Sequence, residues 1–571
     1  MSTQLFNLLV LLLSCFLILV PVSAKVFLSI DCGSSLLKPH TDANSIVWVG
    51  DDPYVRTGET HKVNVAPPSN LSTTWDSSVM STLRAFPTRR RNCYSIDIQD
   101  TTTMAERVLV RATFYYGNYD KKENPPNFLL QFNGNNWARI ETSMTGIQYK
   151  EVAYSLNNGN NINVCLAQTL SGNIPFISAL EIRSLDSKAY SYVDSSYPLF
   201  FITRIGFTKT DIRFPEDSFD RIWLTSAPGL NSTSGLITVT SNSPSIIVDT
   251  DDKPPEAVFR AAVTPDPSRT YIRYNGYSDP LHPIHFNVYF SEVIQLSSTQ
   301  KRSIDISVDN NLINSIIPPY GQVLEVRILN VTSAYTIDFK PTDDSTLPPL
   351  FNALEGFTVG DALVQGTNPN DVKALVLLQK TYVQLQYWSG DPCLPSLLYN
   401  WEWIECNYDT ESPRVIALYL SGYELTGILP DFSAMDALET INLSNNSLKQ
   451  AIPEFLGTFP KLKILSLTDN DFSGAIPSSL SNNIDLKLYV YGNPNLCTSL
   501  TKTACKNGTG NTDPESRFPP LGTGTTDPDS RFPPLSTGNT GTRSRTSKGK
   551  TSSEPIIIFL IMCFGLLFST I

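Results

Sequence analysis

Trp388–Cys406, WSGDPCLPSLLYNWEWIEC, divides the 571-residue chain into two kinds of sequence. Before it lies a long region of short alternating segments rich in aromatic residues. After it, similar phrases recur at a fixed period. The stretch itself sets two cysteines, Cys393 and Cys406, around Trp401 and Trp403. The first coil of a solenoid has an open apolar end that something must cover. A disulfide and two indoles do that in few residues, so the stretch reads as a cap, and its spacing predicts a Cys393–Cys406 bond.

The repeats follow the cap directly. Leu418–Leu425 (LYLSGYEL), Ile441–Leu448 (INLSNNSL), Leu465–Phe472 (LSLTDNDF) and Leu488–Leu496 (LYVYGNPNL) share one pattern. Their equivalent positions Tyr423, Asn446, Asn470 and Asn493 fall 23, 24 and 23 residues apart, the period of a leucine-rich repeat. The inward Leu and Ile are expected to fill the core, and the Asn side chains to bond neighbouring backbone turns. Tyr423 interrupts that ladder in the first coil. About four coils bury little core on their own, so they are expected to pack on the preceding module. The outward positions Tyr419, Asn442, Ser466 and Tyr489 are the candidate partner-facing set. The plainer alternative is that they meet only solvent, because four coils offer a small area compared with a standard interface.

Upstream, Val26–Ile30, Arg107–Tyr116, Phe128–Phe132 and Ile177–Ile182 alternate with a period of two. Phe200–Phe207, Ile237–Val239, Ile284–Phe290 and Ile304–Val308 repeat the style. Gly, Asn and Pro separate the segments, as in an all-β sandwich. Two regions, 25–190 and 191–365, each have the length of one sandwich, which suggests a tandem. Asn370–Tyr387 is the most helix-like stretch, with Asn370 or Asp371 as N-cap and Val372, Leu375, Leu378 and Tyr382 on one face.

Several phrases in the first 365 residues resemble the malectin-like domain of plant cell-surface receptors. They are Ser29-Ile30-Asp31-Cys32-Gly33, Arg91-Asn92-Cys93-Tyr94, Phe114–Asp120, Pro175–Arg183, Asp220-Arg221-Ile222-Trp223 and Leu347–Glu355. Each phrase is short; their order and spread over about 330 residues make the set specific. Arg204-Ile205-Gly206 departs from the pattern, where the family commonly has an Asn before the Gly. Gly390-Asp391-Pro392-Cys393 resembles the GDPC motif that joins malectin-like and leucine-rich-repeat regions in symbiosis-receptor-like kinases. Gly427–Pro430 and Gly474–Pro477 resemble the Gly-x-Ile-Pro of plant extracellular repeats. The resemblance implies a mainly β chain: tandem malectin-like β-sandwich lobes, then a short α/β leucine-rich-repeat solenoid. It places the GDPC junction and cap at 366–412 and the repeats with their C-terminal cap at 413–505. It also implies that the junction can be a proteolytic release point; the plain reading of the same residues is a cap.

Met1–Ala24 reads as a signal peptide, with an apolar run Leu5–Val20 and the small-residue site Val22-Ser23-Ala24. Of nine cysteines, Cys15 falls in that signal and Cys563 in the C-terminal segment. An oxidising compartment favours disulfides. Cys497 and Cys505 pair by proximity, while Cys32, Cys93 and Cys165 leave the choice open. Sequons stand at Asn70, Asn231, Asn330, Asn445 and Asn507; a sixth, Asn442, lies within a repeat strand. Residues 506–550 are rich in Gly, Thr, Ser and Pro, and Thr512–Leu521 returns as Thr526–Leu535, the composition of a stalk. Residues 551–571 are dominated by apolar side chains from Pro555 onward. They fit a GPI signal better than a spanning helix of about 20 residues, with Asn539, Ser544 and Ser547 as attachment candidates. The expected location is the extracellular face of the plasma membrane.

A net charge of −11 argues against a nucleic-acid binder, which needs a basic surface. The 571 residues carry no kinase set of Gly-rich loop, HRD and DFG, no Walker A and no Gly-x-Ser-x-Gly. His282-Pro283-Ile284-His285 lacks the Glu of a zincin and reads as the entry to a strand. Asp249-Thr250-Asp251-Asp252 lacks the EF-hand spacing. No metal, no cofactor and no enzyme is therefore expected; a glycosidase is the weakest of three readings. The first reading is a recognition protein that binds a protein or peptide partner and works through a transmembrane receptor kinase. The second takes up the resemblance to malectin, which binds diglucose through aromatic side chains, and would engage a cell-wall oligosaccharide. Rings stack on sugar C–H faces while amides and carboxylates take hydroxyls. Its candidates are Tyr115, Tyr116, Asn118, Tyr119 and Asp120, with Tyr289, Phe290 and Glu292, although alternation turns half of such rings to a core.

Overall fold

The structure, a computed structural model, describes residues 27–34, 39–68, 74–98, 107–156, 161–225, 235–279 and 281–497. The expectations for Met1–Ala24, Asn70, Asn231, Cys505, Asn507, the stalk, the C-terminal segment and Asn539, Ser544 and Ser547 lie outside the described residues. The chain divides into two units, 1–510 and 511–571, and every described residue belongs to the first.

The alternating segments form strands where the period of two predicts them, including Phe27–Asp31, Arg107–Phe114, Leu199–Gly206, Ile284–Phe290 and Ile304–Val308. Two sandwiches result, and they share a sheet. A ten-stranded sheet runs through both lobes. Its splice is Leu199–Gly206, which pairs antiparallel with Gln148–Ser155 of the first lobe and with Ala353–Val359 of the second. Over one half lies a four-stranded sheet ordered Arg91–Asp97, Asn161–Gln168, Asn127–Phe132, Asn135–Glu141. Over the other lies a second four-stranded sheet containing Ile272–Ser278 and Ser333–Pro341. Each pair of sheets encloses an apolar core, with Phe114, Phe128 and Phe132 in the first and Phe286, Phe290 and Phe339 in the second.

Alternation normally leaves one face of an antiparallel sheet to water. Here every residue of Arg107–Phe114 and of Ile284–Phe290 is buried. The second face carries ion pairs under the segment 185–225. Arg111 donates to Glu151 at 2.7 Å and to Glu181 at 3.1 Å. Arg183 and Arg213 both donate to Glu181, at 2.9 and 2.7 Å, and both reach Asp220 at 2.7 Å. Burial alone would raise the Asp220 carboxyl, but Arg183, Arg213 and Arg111 hold it well below the usual carboxylate range. Arg204, on the splice strand, bridges Glu151 of the first lobe at 2.8 Å and Glu355 of the second at 2.5 Å. The departure from the family phrase therefore sits at a charged clamp between the lobes.

Helix Pro369–Thr381 follows, and Leu375, Leu378 and Tyr382 face the solenoid core as the pattern predicts, while Val372 is half-buried and lies outside that core. Its cap differs from the expectation. Asn368 accepts the Asn370 N–H at 3.0 Å. Asp371, free of capping duty, is fully buried and takes Arg414 at 2.9 Å and the Val415 N–H at 2.9 Å. The helix stops at Thr381 because Tyr382 turns extended.

Cys393 and Cys406 form a disulfide beside Trp401 and Trp403, whose ring centroids lie 5.6 Å apart. Cys406 lies on strand Ile404–Asn407, which adds antiparallel to Arg414–Tyr419 and closes the open end of the repeat sheet. Thr440–Asn442, Ile464–Ser466 and Lys487–Tyr489 continue that sheet in parallel. Asn470 Nδ2 donates to the carbonyls of Leu443, Leu467 and Thr468, and its Oδ1 accepts the Leu448 N–H at 3.0 Å. Asn446 and Asn493 repeat the arrangement one coil up and one coil down. Tyr423 packs on Trp388 of the cap, 6.1 Å between centroids, which accounts for the missing Asn in the first coil.

Candidate functional site

The rings named for sugar stacking are in the core. Tyr115, Tyr116, Tyr289 and Phe290 are fully buried and Tyr119 nearly so. The Tyr115 hydroxyl donates to the Ala66 carbonyl at 3.0 Å, and Tyr116 donates to Asp120 at 2.5 Å. Burial first, and then the Asp120 bond, pushes the Tyr116 phenol up to about 12. Tyr119 packs on Phe176, Tyr289 on Trp223, and Phe290 on Phe339. Asn118 Oδ1 accepts the Glu123 N–H at 3.0 Å within the same turn. Glu292 is buried against Arg302 at 2.7 Å and accepts the Val293 N–H at 3.0 Å. Tyr116, Tyr119 and Phe290 fill the sandwich interiors, Tyr115 is covered by Ile46, Trp48, Val79 and Met80, and Tyr289 by Ile212, Trp223 and Phe259. These eight positions build the fold, and none offers a free ring face. His285, of the HxxH, stacks on Phe357 in the same interior.

The repeat positions behave differently. Tyr419 stands opposite Asn442, Asn442 opposite Ser466, and Ser466 opposite Tyr489. One residue from each coil thus enters a single row across the parallel sheet, while Leu418, Ile441 and Leu465 point into the core. Tyr419 is 37% exposed and its hydroxyl donates to Glu405 of the cap strand at 2.6 Å. Burial, followed by that bond, raises its phenol. Two tyrosines at the ends and small polar groups between them can recognise an extended segment through rings and hydrogen bonds. Asn445 and Asn330 are exposed, so both sequons are accessible.

The Gly390–Cys393 phrase is a joint between the first lobe and the repeats. Gly390 has a φ of +77° and lies against the Cys93–Cys165 disulfide: a Cβ there would come within 2.6 Å of Cys93 Sγ and 2.9 Å of Cys165 Sγ. Only glycine fits both demands. Ser389 donates to the Cys93 carbonyl at 2.9 Å. Arg91 donates to the carbonyls of Asp391 and Leu394. Arg89 lies 4.1 Å over the Trp388 ring and donates to the Tyr387 carbonyl at 3.0 Å. Asp391 turns inward and accepts from Thr367, Cys393 and Leu394. Sequence reasoning missed the lobe side of this joint. Its one local signal is the run Arg89-Arg90-Arg91 beside Cys93. The disulfide pairs strands 72 residues apart, leaving Cys32 as a buried thiol. Cys497 is also disulfide-bonded.

Comparison with known proteins agrees with this architecture. The malectin-like domain matches residues 30–359, and the leucine-rich repeat matches 437–459 and 461–483. A protein of Arabidopsis thaliana named "Probable LRR receptor-like serine/threonine-protein kinase" is 29% identical over 527 residues, covering 88% of this chain and 57% of its own. An uncharacterized protein of the same plant is 33% identical over 375 residues, covering 64% of this chain and 70% of its own. The chain spans about half the length of the receptor-like kinases it matches, 46%, 45% and 48% for three further ones. The crystal structure of the plant receptor-like kinase ANX2 superposes with a TM-score of 0.50 at 16% identity, over 59% of this chain and 97% of that one, and shares the fold. With more than half its length matched, the chain belongs to the malectin-like family, in the combination with leucine-rich repeats found in plant receptor-like proteins.

Proposed function

We propose that this is a cell-surface recognition protein at the extracellular face of the plasma membrane, where its repeats present one row of side chains to a protein or peptide partner. The observation that carries the reading is the Tyr419–Asn442–Ser466–Tyr489 row, one outward residue per coil in strict register. At the usual strand spacing the row spans about 14 Å, the length of a short extended segment. The reading is non-catalytic, and the partner supplies the kinase. Relatives named as receptor-like kinases support that choice of partner.

The test is proximity capture from plant plasma membranes with wild type and with Tyr419→Ala/Tyr489→Ala, compared side by side. The double variant is expected to recover a receptor kinase at least tenfold less well, with unchanged unfolding temperature. Equal recovery by both proteins, or no receptor kinase recovered by either, overturns the proposal.

A further inference from the structure

Where the end of helix Pro369–Thr381 meets the first lobe there is a cleft of about 350 Å³. Tyr54 and Arg56 border it from the lobe, and Lys380, Gln386, Tyr387 and Trp388 from the other side. The charged residues lining it are Arg56 and Lys380, both cationic and both exposed. A third cation stands over its wall. The Arg89 guanidinium lies 4.1 Å from the centre of the Trp388 ring and 5.3 Å from that of Tyr387.

Elsewhere the arginines of the lobes meet carboxylates, as Arg84 meets Asp51 and Arg302 meets Glu292, each at 2.7 Å. At the cleft they meet neutral groups. Arg56 donates to the Gln386 side-chain carbonyl at 3.1 Å, and Arg89 to the Tyr387 main-chain carbonyl at 3.0 Å. Among the described residues no carboxylate pairs with Arg56, Arg89 or Lys380. Burial pushes the Arg89 guanidinium down from its ordinary value, and Glu402, beyond ion-pair distance, offsets only part of that. The chain as a whole has 54 acidic residues against 43 basic ones, so this concentration of unopposed positive charge runs against its composition.

The chemistry of the walls narrows the ligand. Two guanidinium forks and an ammonium offer charge-assisted donors to carboxylates. Tyr387 is 46% exposed, and Val376 is 37% exposed one turn before Lys380 on the same helix face. Cations beside apolar and aromatic surface are the means by which acidic peptide motifs are read. We propose that this cleft binds an acidic peptide segment of a protein partner, with carboxylates against Arg56, Arg89 and Lys380 and an apolar side chain against Tyr387. The cleft is separate from the repeat row, so it stands or falls apart from the reading given above.

The experiment is calorimetric titration of the full chain with the end-capped pentapeptide Asp-Tyr-Asp-Tyr-Asp, with its Asn and Lys counterparts, and with hexagalacturonate. The acidic peptide is expected to bind at least tenfold more tightly than either counterpart and more weakly as salt is raised. Arg56→Gln/Lys380→Gln should weaken it at least tenfold with an unchanged unfolding temperature. Lys188→Gln/Lys209→Gln, the same loss of charge at exposed positions elsewhere on the chain, should leave it unchanged, as should Tyr419→Ala/Tyr489→Ala in the repeats. The proposal is overturned if the acidic peptide does not bind, if the Asn peptide binds equally, or if Arg56→Gln/Lys380→Gln binds as wild type does. It is also overturned if either control variant loses as much affinity, or if hexagalacturonate binds in place of the peptide.

Discussion

On the second face of the shared sheet, Arg111, Arg183 and Arg213 converge on Glu181 and Asp220. In the repeats, Asn446, Asn470 and Asn493 each tie two coils together with one neutral amide. Both regions bury polar groups and both satisfy them, but by different chemistry. The lobes need elements far apart in sequence to meet, and opposite charges of fixed geometry specify which ones. The repeats stack like on like, and an amide that donates and accepts serves every coil equally. Buried charge is the more brittle solution, because removing one partner strands the others.

Asp220→Asn should give the largest effect, a loss of about 3–5 kcal/mol as three guanidinium groups lose their shared carboxylate. Urea unfolding followed by tryptophan fluorescence measures it; a loss below about 1 kcal/mol would show that the network does not clamp the lobes. Next, Asn470→Ala should cost about 1–3 kcal/mol by leaving the buried Leu448 N–H unpaired. Hydrogen exchange should quicken at Leu448 and its neighbours and leave the lobes unchanged, and exchange spreading into the lobes would erase the contrast between regions. The smallest effect is a slope with pH. Burial, only partly offset by hydrogen bonds from Thr82 and Ser34, raises Asp31 to about 7. Folded chains therefore keep a proton that the unfolded carboxyl releases above about pH 4. The stability this contributes is full below pH 4 and is lost as pH rises toward 7, by at most about 1.4 kcal/mol per pH unit. Asp31→Asn should flatten that slope between pH 5 and 7 in thermal unfolding; an unchanged slope would assign it to another group.

Much of the fold is legible because its signals are local. Ile284–Phe290 and Ile304–Val308 alternate and are strands with those bounds. The spacing of Asn446, Asn470 and Asn493 is the ladder itself. The candidate site is legible only where one face is known to be covered. Leu418 and Leu420 fill the solenoid, so Tyr419 between them must point out. In the lobes the same reasoning fails at Tyr115 and Tyr289, since nothing local to either says that Trp48, Val79 and Met80 will cover the one and Ile212 and Trp223 the other. The Cys93–Cys165 bond is likewise a matter of register between distant strands.

The splice strand Leu199–Gly206 has a mechanical consequence. It is hydrogen-bonded along one edge to the first lobe and along the other to the second. Opening the lobes like a clam would unzip a ladder and pull Arg204 from Glu151 and Glu355 together. The module is thus one stiff plate without a hinge. Bending between the lobes is therefore opposed by backbone hydrogen bonds and by charge at the same strand.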